Sequence, residues 1–448
     1  LQYRYAEGTW NEWHALFDNG RSGCLSQDNR PYAFAFAAPL DGTAPAAESL
    51  RAGQSVSAGG QIWSVASVAA AKLIAAQGEL PFKPNLERGF VVADLRNTRV
   101  EVATLDYGDP AAPKWSVGRS VAISELAMTG LAEASEKTLK ARGVECPSCG
   151  TALEVKLSTT QSIVCFNCHA VVDVSQGVGG DLKHFAQENG SEPQIPLGSS
   201  GRLALGAEGP LDWQVVGYLE RCDLPEPGGD DEQTFWREYL LYHRSTGFAF
   251  LVDTDEGWSW MRPLTGAPRA TGTGASWQGL AFSQRWRYDA KVTWVQGEFY
   301  WRVQREERAQ VTDYAGPRGA LLSREQVGDE VTWSLGQPLD AAVVASAFRI
   351  APAARAALHR DSAPLSTLGT LGGGSGGLNQ GVIMLVVVLA VVAMMAQCGG
   401  SDDCDEAKAT FGAASTEYQQ CLNNQRSGGF RTGGGSFGGY SSGSGGHK

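Results

Sequence analysis

The sequence predicts a mainly β protein: two related β-sandwich or open-barrel domains flanking a zinc ribbon, with one transmembrane helix after them. Three observations carry that expectation. Short runs of branched and aromatic residues recur between turn residues, one block of the chain repeats, and two Cys-x-x-Cys pairs lie between the copies. At 448 residues the chain exceeds one ordinary domain, and 43% hydrophobic residues are enough for packed cores.

The repeat comes first because it sets the domain count. Trp10-Asn11-Glu12-Trp13 matches Trp236-Arg237-Glu238-Tyr239, and the same offset sets Leu25 against Leu251, Tyr32 against Trp258 and Phe34 against Trp260. Pro39-Leu40 then answers Pro263-Leu264 with a small adjustment. Further on, Gly59, Trp63 and Val65 line up with Gly297, Trp301 and Val303, and Glu101-Val102 with Glu330-Val331. The second copy has more sequence ahead of Trp236 than the first has ahead of Trp10, so we expect an incomplete first copy and further chain upstream of Leu1. A signal peptide is neither indicated nor excluded.

The unit itself reads as β. Trp213 to Tyr218, Tyr239 to Tyr242, Gly247 to Val252, Lys291 to Val295 and Phe299 to Val303 are strand-like, and Asp255-Glu256-Gly257 and Gln296-Gly297-Glu298 are turns between them. Many short strands at this spacing fit a sandwich or an open barrel. Most of the 13 tryptophans fall in strand-like segments along the chain, where cross-strand packing explains them. Helix is expected around Leu131 to Ala141 and in the membrane span.

Cys146-Pro-Ser-Cys149 and Cys165-Phe-Asn-Cys168 are separated by fifteen residues. Each pair delivers two thiolates from a tight turn, and together they complete the tetrahedral shell that zinc prefers. Ala152 to Leu157 and Ser162 to Cys165 are the expected hairpin strands, with Gly150 supplying a turn. The metal ligands are therefore Cys146, Cys149, Cys165 and Cys168, and the cofactor is zinc. Cys165-Phe-Asn-Cys168-His169 also satisfies the c-type haem attachment pattern. That alternative leaves Cys146 and Cys149 without a purpose, and His169 reads as a neighbour of the site.

Charge excludes one class of partner. The formal net charge is -11, and from Ala141 to Val178 the only basic residues are Arg142 and Lys156. Without a basic stripe the chain lacks the footprint that a phosphate backbone needs, so no nucleic acid is expected.

The boundaries follow. A first β domain spans 1–132, the zinc ribbon 141–178 and a second β domain 198–350; a flexible linker covers 351–380. Val382 to Cys398 is uncharged over 17 residues, roughly 26 Å as a helix, and defines a transmembrane helix over 381–398. A short helical-looking segment (399–427) and a Gly/Ser-rich disordered tail (428–448) follow it. Lys and Arg are too sparse around the span to orient it, but a thiolate zinc site fits a reducing compartment. The soluble domains are thus expected in the cytoplasm of a single-pass bacterial inner-membrane protein. Cys404 and Cys421 would then face outward, where they can pair or stay reduced.

No catalytic set emerges. The histidines have no metal-ligand spacing, and Asp253-Thr-Asp255-Glu256-Gly257 reads as a hairpin turn and not as a calcium loop. Glu12 and Glu238 recur in the repeat, where a Glu beside a Trp can simply pair across a strand. No nucleotide loop and no nucleophile elbow are present, so no catalytic and no cofactor-binding residue beyond the zinc ligands is assigned.

Trp236-Arg-Glu-Tyr-Leu-Leu-Tyr with Gly247-Phe-Ala-Phe-Leu, and Gly78-Glu-Leu-Pro-Phe followed by Ala93-Asp-Leu-Arg and Ala103-Thr-Leu-Asp-Tyr-Gly-Asp, carry a resemblance. On them the chain resembles bacterial proteins with domain of unknown function 4178, over most of residues 1 to 350. The resemblance implies paired β domains with Cys-x-x-Cys ribbons and another ribbon upstream. It also implies a setting beside membrane and stress-related genes, including polyamine synthases, and so envelope stress or maintenance. It brings no activity.

The function expected from this reading is a non-catalytic, membrane-tethered zinc-ribbon adaptor that meets the bilayer through one helix and binds an unidentified protein partner. The alternatives are small-molecule sensing by the β domains and an uncharacterised enzyme.

Overall fold

The computed structural model describes residues 1–359 except 7, 28–31, 41, 87, 122–124, 127–141, 158, 176–181, 189, 225–232 and 304–306, and these described residues belong to one compact unit. The expected helix around 131–141, the 360–380 part of the linker, the expected membrane helix over 381–398, the 399–427 segment and the tail lie outside them. Among the described residues no helix is long and apolar enough to cross a membrane.

The first repeat contributes β1 (Gln2–Tyr5), β2 (Gly8–Leu16), β3 (Ser22–Gln27), β4 (Tyr32–Ala37), β5 (Ser55–Ala58), β6 (Gln61–Ala75), β7 (Gly89–Arg96), β8 (Glu101–Asp106) and β9 (Lys114–Val121). The ribbon contributes β10 (Arg142–Glu145), β11 (Ala152–Val155), β12 (Ser162–Val164) and β13 (Val171–Asp173), with β14 (His184–Phe185) beside it. The second repeat begins with β15 (Ser200–Ala204), β16 (Pro210–Leu224), β17 (Phe235–His243), β18 (Gly247–Thr254) and β19 (Gly257–Pro263). It goes on through β20 (Arg269–Thr271), β21 (Gly274–Trp277), β22 (Leu280–Phe299), β23 (Arg308–Ala315), β24 (Leu321–Val327) and β25 (Glu330–Leu339) to helices α1 (Ala341–Ala347) and α2 (Pro352–Arg355).

Each repeat closes on itself. In the first, the ladder runs β1-β2-β3-β4-β9-β8-β7-β6 and returns to β1, all antiparallel. In the second it runs β16-β17-β18-β19-β25-β24-β23-β22 and returns to β16. The expected sandwich or open barrel is therefore corrected to a closed eight-stranded barrel, and closure removes the edges that an open sheet would expose. We call the two rings barrel 1 and barrel 2.

Register fixes the correspondence between them. Trp13 sits opposite Leu25 and Leu25 opposite Phe34, just as Tyr239, Leu251 and Trp260 form one row in barrel 2. The first half of the repeat read from sequence is thus confirmed strand by strand. The second half is corrected. The β5–β6 turn at Gly59-Gly60 corresponds to the β21–β22 turn at Gln278-Gly279, so Trp63 answers Phe282 and not Trp301. Likewise β8 answers β24, so Glu101-Val102 does not correspond to Glu330-Val331 at the start of β25. Long-range pairing sets these identities, and a local Glu-Val match carries no register information.

Inward and outward residues alternate along each strand. Trp236, Leu240, Phe250 and Val252 belong to one apolar cluster with Phe299 and Val311, whereas Tyr239, Leu241, Ala249 and Leu251 belong to another that contains Val344, Ala345 and Phe348 of α1 and the residues just after it. The first set fills barrel 2, as expected for an eight-stranded ring whose interior is just wide enough for side chains. The second set is its outer face, covered by Ile195, β15 and α1 together. Asp340 caps that helix by accepting from the Ala342 amide at 2.7 Å.

The two barrels touch directly. The Val68 amide donates to the Asp329 carbonyl, and the Ala267 amide to the Asn97 carbonyl. Ala52 and Val100 pack on the cluster of Trp277 and Trp333.

Candidate functional site

The four cysteines converge. Cys146, Cys149, Cys165 and Cys168 each offer a sulfur, and all four lie within 4.8 Å of one another. Cys146 Sγ is 3.7 Å from Cys168 Sγ and Cys149 Sγ is 3.6 Å from Cys165 Sγ. A tetrahedral zinc with bonds of about 2.3 Å would space its sulfurs about 3.8 Å apart, so this donor set fits the metal.

The knuckles are built alike. The Gly150 amide closes on the Cys146 carbonyl at 2.8 Å and the His169 amide on the Cys165 carbonyl at 2.9 Å. Both residues lie in the left-handed region, at φ 74° and 58°. Glycine takes that conformation freely, whereas His169 takes it at a cost and packs its ring 5.4 Å from Trp294. His169 is thereby placed as a neighbour of the cysteine cluster and not within it.

Local environment divides the thiols. Burial pushes Cys146 up to about 12, while hydrogen bonding with Thr151 draws exposed Cys149 down to about 6. The expected hairpin is corrected here. β11 pairs with β10 and β12 with β13, so the strands between the two Cys-x-x-Cys pairs do not pair with each other. Each knuckle sits on its own hairpin, and the cysteine cluster joins the two.

The second hairpin is an extension of barrel 2. Ser162 pairs with Phe299 at the end of β22, and Val164 and Val171 join the core around Trp236. The buried Glu298 carboxylate accepts from the amides of Lys156 and Leu157 and from the Thr160 hydroxyl at 2.7 Å. These three donors sit on the loop that links the hairpins. Arg302 pairs with Asp173 at 2.7 Å and donates to the Ala6 carbonyl of barrel 1. Ribbon and both barrels therefore meet around Arg302.

A second polar site was not foreseen from sequence. Glu238, expected as a cross-strand partner, lies in the interior of barrel 2. Arg221 on β16 reaches Glu325 on β24 at 2.6 Å and Glu238 on β17 at 3.4 Å. Two strands, β22 and β23, separate β16 from β24 around the ring, so the Arg221–Glu325 bond crosses the lumen. Trp236 Nε1 donates to Glu238 at 2.8 Å, the Arg221 guanidinium lies 5.6 Å over the Trp236 ring, and the Tyr288 hydroxyl donates to Asp313 at 2.8 Å. Burial pushes Glu238 up to about 7 against the pull of Arg221, and raises Glu325 as well.

Barrel 1 holds the counterpart with a tyrosine in place of the arginine and an aspartate in place of one glutamate. By register Glu12 answers Glu238, Asp94 answers Asp313, Asp106 answers Glu325 and Tyr3 answers Arg221. All four are buried. Tyr3 stacks on Trp10 at 4.8 Å, where barrel 2 has a cation over a ring. Asp94 accepts from Ser67 and Thr104. The recurring Val92-x-Asp94 and Val311-x-Asp313 was the available sequence signal.

Asp253 to Gly257 is the hairpin turn expected, joining β18 to β19, and no calcium-like group appears among the described residues.

The family model described as "Domain of unknown function (DUF4178)" matches residues 209–341. Those residues form a DUF4178 domain. The match runs from the start of β16 into α1, and so takes in the whole ring of barrel 2 with its Arg221–Glu238–Glu325 cluster. No curated protein and no solved structure matches the chain. The DUF4178 barrel is the module onto which the cysteine ribbon is built, and barrel 1 repeats its topology.

Proposed function

We propose that this chain is a non-catalytic scaffold: a zinc ribbon on Cys146, Cys149, Cys165 and Cys168 fixed to a DUF4178 barrel, tethered to a bilayer by residues 381–398, and binding a protein partner there. The observation that carries the reading is the docking of the cysteine cluster. Four sulfurs converge within 4.8 Å, which leaves no coordination position for a substrate, and Glu298 and Ser162 anchor the ribbon to barrel 2. A closed four-thiolate site of this kind is a structural staple. Envelope stress or maintenance is the setting we propose for it, with the soluble part in the cytoplasm.

The test is purification of the full chain from membranes after mild crosslinking. A stable partner that is retained in Glu238→Gln but lost in Cys165→Ser/Cys168→Ser is the expected result. Turnover of any substrate that disappears in Glu238→Gln would overturn the non-catalytic reading.

A second reading is small-molecule sensing in the lumen of barrel 2. Glu238 Oε2, Trp286 Nε1 and Ser323 Oγ are buried there without a hydrogen-bond partner, and such groups call for one. A compound that raises the melting temperature of the wild-type chain but not of Ser323→Ala would favour this reading.

A further inference from the structure

The four thiols of the ribbon differ in what can reach them. Cys146 and Cys165 are buried, Cys168 is half-buried and Cys149 is exposed. Pro147, Ser148 and Gly150 beside Cys149 are exposed as well, as are Phe166 and Asn167 on the other knuckle. Thr151 Oγ1 lies 3.2 Å from Cys149 Sγ, and Asn167 Nδ2 donates to that sulfur at 3.7 Å. The sulfur contacts of 3.6 Å and 3.7 Å both run between the knuckles, Cys149 to Cys165 and Cys146 to Cys168. Where an exposed thiolate has a second thiol in contact, an oxidant acts first on the exposed sulfur and a disulfide follows. Which pair bonds decides what oxidation does to the fold. Among the described residues β10 and β11 pair only with each other, whereas β12 pairs with β22 of barrel 2. Val144 and Leu153 of the first hairpin share one apolar cluster with Ile163 and Val172 of the second. A bond within Cys146-Pro-Ser-Cys149 would add nothing to that contact, whereas a bond from Cys149 to Cys165 would join the hairpins covalently.

From this difference we infer that Cys149 is an oxidation site, where peroxides enter the ribbon and exchange its metal staple for a Cys149–Cys165 disulfide. The inference rests on the zinc site proposed above. The Cys149 thiolate attacks one peroxide oxygen, forming an S–O bond as the O–O bond breaks and hydroxide leaves. The Cys165 thiolate then attacks the Cys149 sulfur, forming the S–S bond and expelling a second hydroxide. Two thiolates lose two electrons in all, and one peroxide gains them. Two of the four donors are then spent. Cys146 and Cys168 alone do not complete the four-coordinate shell that zinc takes, so the metal is released. The first hairpin stays on barrel 2, because the new bond crosses between the knuckles where the metal did.

The experiment uses the full, unsubstituted chain with its zinc counted beforehand. Limiting hydrogen peroxide is added to two samples, one of them with dimedone to trap the S–O stage. Trypsin separates the knuckles, since cleavage after Arg142, Lys156 and Lys183 puts Cys146 and Cys149 on peptide 143–156 and Cys165 and Cys168 on peptide 157–183. With dimedone, the adduct at Cys149 should exceed that at any of the other three cysteines by roughly tenfold or more. Without it, the two peptides should be joined through Cys149 and Cys165, with one zinc released per crosslink. Dithiothreitol and added zinc should restore the metal content. An adduct spread evenly over the four thiols, a disulfide confined to peptide 143–156, or zinc retained under peroxide would each overturn the inference and leave the zinc site standing. Before peroxide the chain should hold its zinc and four reduced thiols. A chain that is metal-free at that point overturns the zinc site and the inference with it.

Discussion

Barrels 1 and 2 share a strand order, a register and three interior carboxylate positions, yet they fill the lumen by different means. Barrel 2 places Arg221 between Glu238 and Glu325, all buried. Barrel 1 has Tyr3 at the arginine position and stacks it on Trp10. A closed ring fixes where side chains point, and leaves open whether charge or aromatic packing occupies the centre. Buried ion clusters of this type add little net stability over a well-packed apolar core, because desolvation offsets the attraction. They are costly to break, however, and this asymmetry separates the two barrels experimentally.

The largest effect is expected from Arg221→Met, which leaves two buried carboxylates without their cation and should lower stability by about 3–5 kcal/mol in denaturant titration. The combined replacement Arg221→Met/Glu238→Met/Glu325→Leu should recover most of that loss. If the single and triple variants are equally unstable, the charge cluster is not what distinguishes barrel 2. In barrel 1, Tyr3→Phe keeps the stack and should change stability by less than about 1 kcal/mol.

An intermediate effect is expected at the ribbon. Glu298→Ala removes the acceptor for three donors on the 156–160 loop and should cost about 1–3 kcal/mol, read as faster proteolysis between the hairpins with barrel 2 intact.

The pH dependence sharpens the contrast further. Glu238 is raised to about 7 in the folded chain, against about 4.3 for an unperturbed glutamate. The folded state therefore binds this proton more tightly than the unfolded state. Its stabilising contribution is full below about pH 4 and is lost as pH rises through 7, so Glu238 makes barrel 2 less stable at pH 8 than at pH 5. Glu238→Gln should flatten that slope in melting curves taken between pH 5 and 8. The smallest effect is expected at the exposed Arg202–Asp212 pair, where Arg202→Ala should shift stability by less than about 1 kcal/mol.

Much of this was legible in the sequence. The Trp-x-Glu pair marks β2 and β17, and the Cys-x-x-Cys spacing names all four cysteines that converge. What stayed hidden depends on long-range register. Nothing local says that Trp63 belongs with Phe282, because the β5–β6 and β21–β22 turns share no motif beyond a glycine. Tyr3 and Arg221 share no chemistry, so their equivalence emerges only from closed ladders. The ribbon pairing stays hidden for the same reason: the strands between the knuckles are adjacent in sequence, but each finds its partner on the far side of its own turn.

We propose that four thiolates hold a zinc that staples the ribbon onto the DUF4178 barrel. The most direct measurement is metal content, thiol count and visible absorbance of the full chain purified without a metal-affinity tag. One zinc per chain with no Soret band, lost in Cys165→Ser/Cys168→Ser, is the result expected. A Soret band, or no metal together with oxidised Cys146, Cys149, Cys165 and Cys168, would show that these cysteines do not form a zinc site.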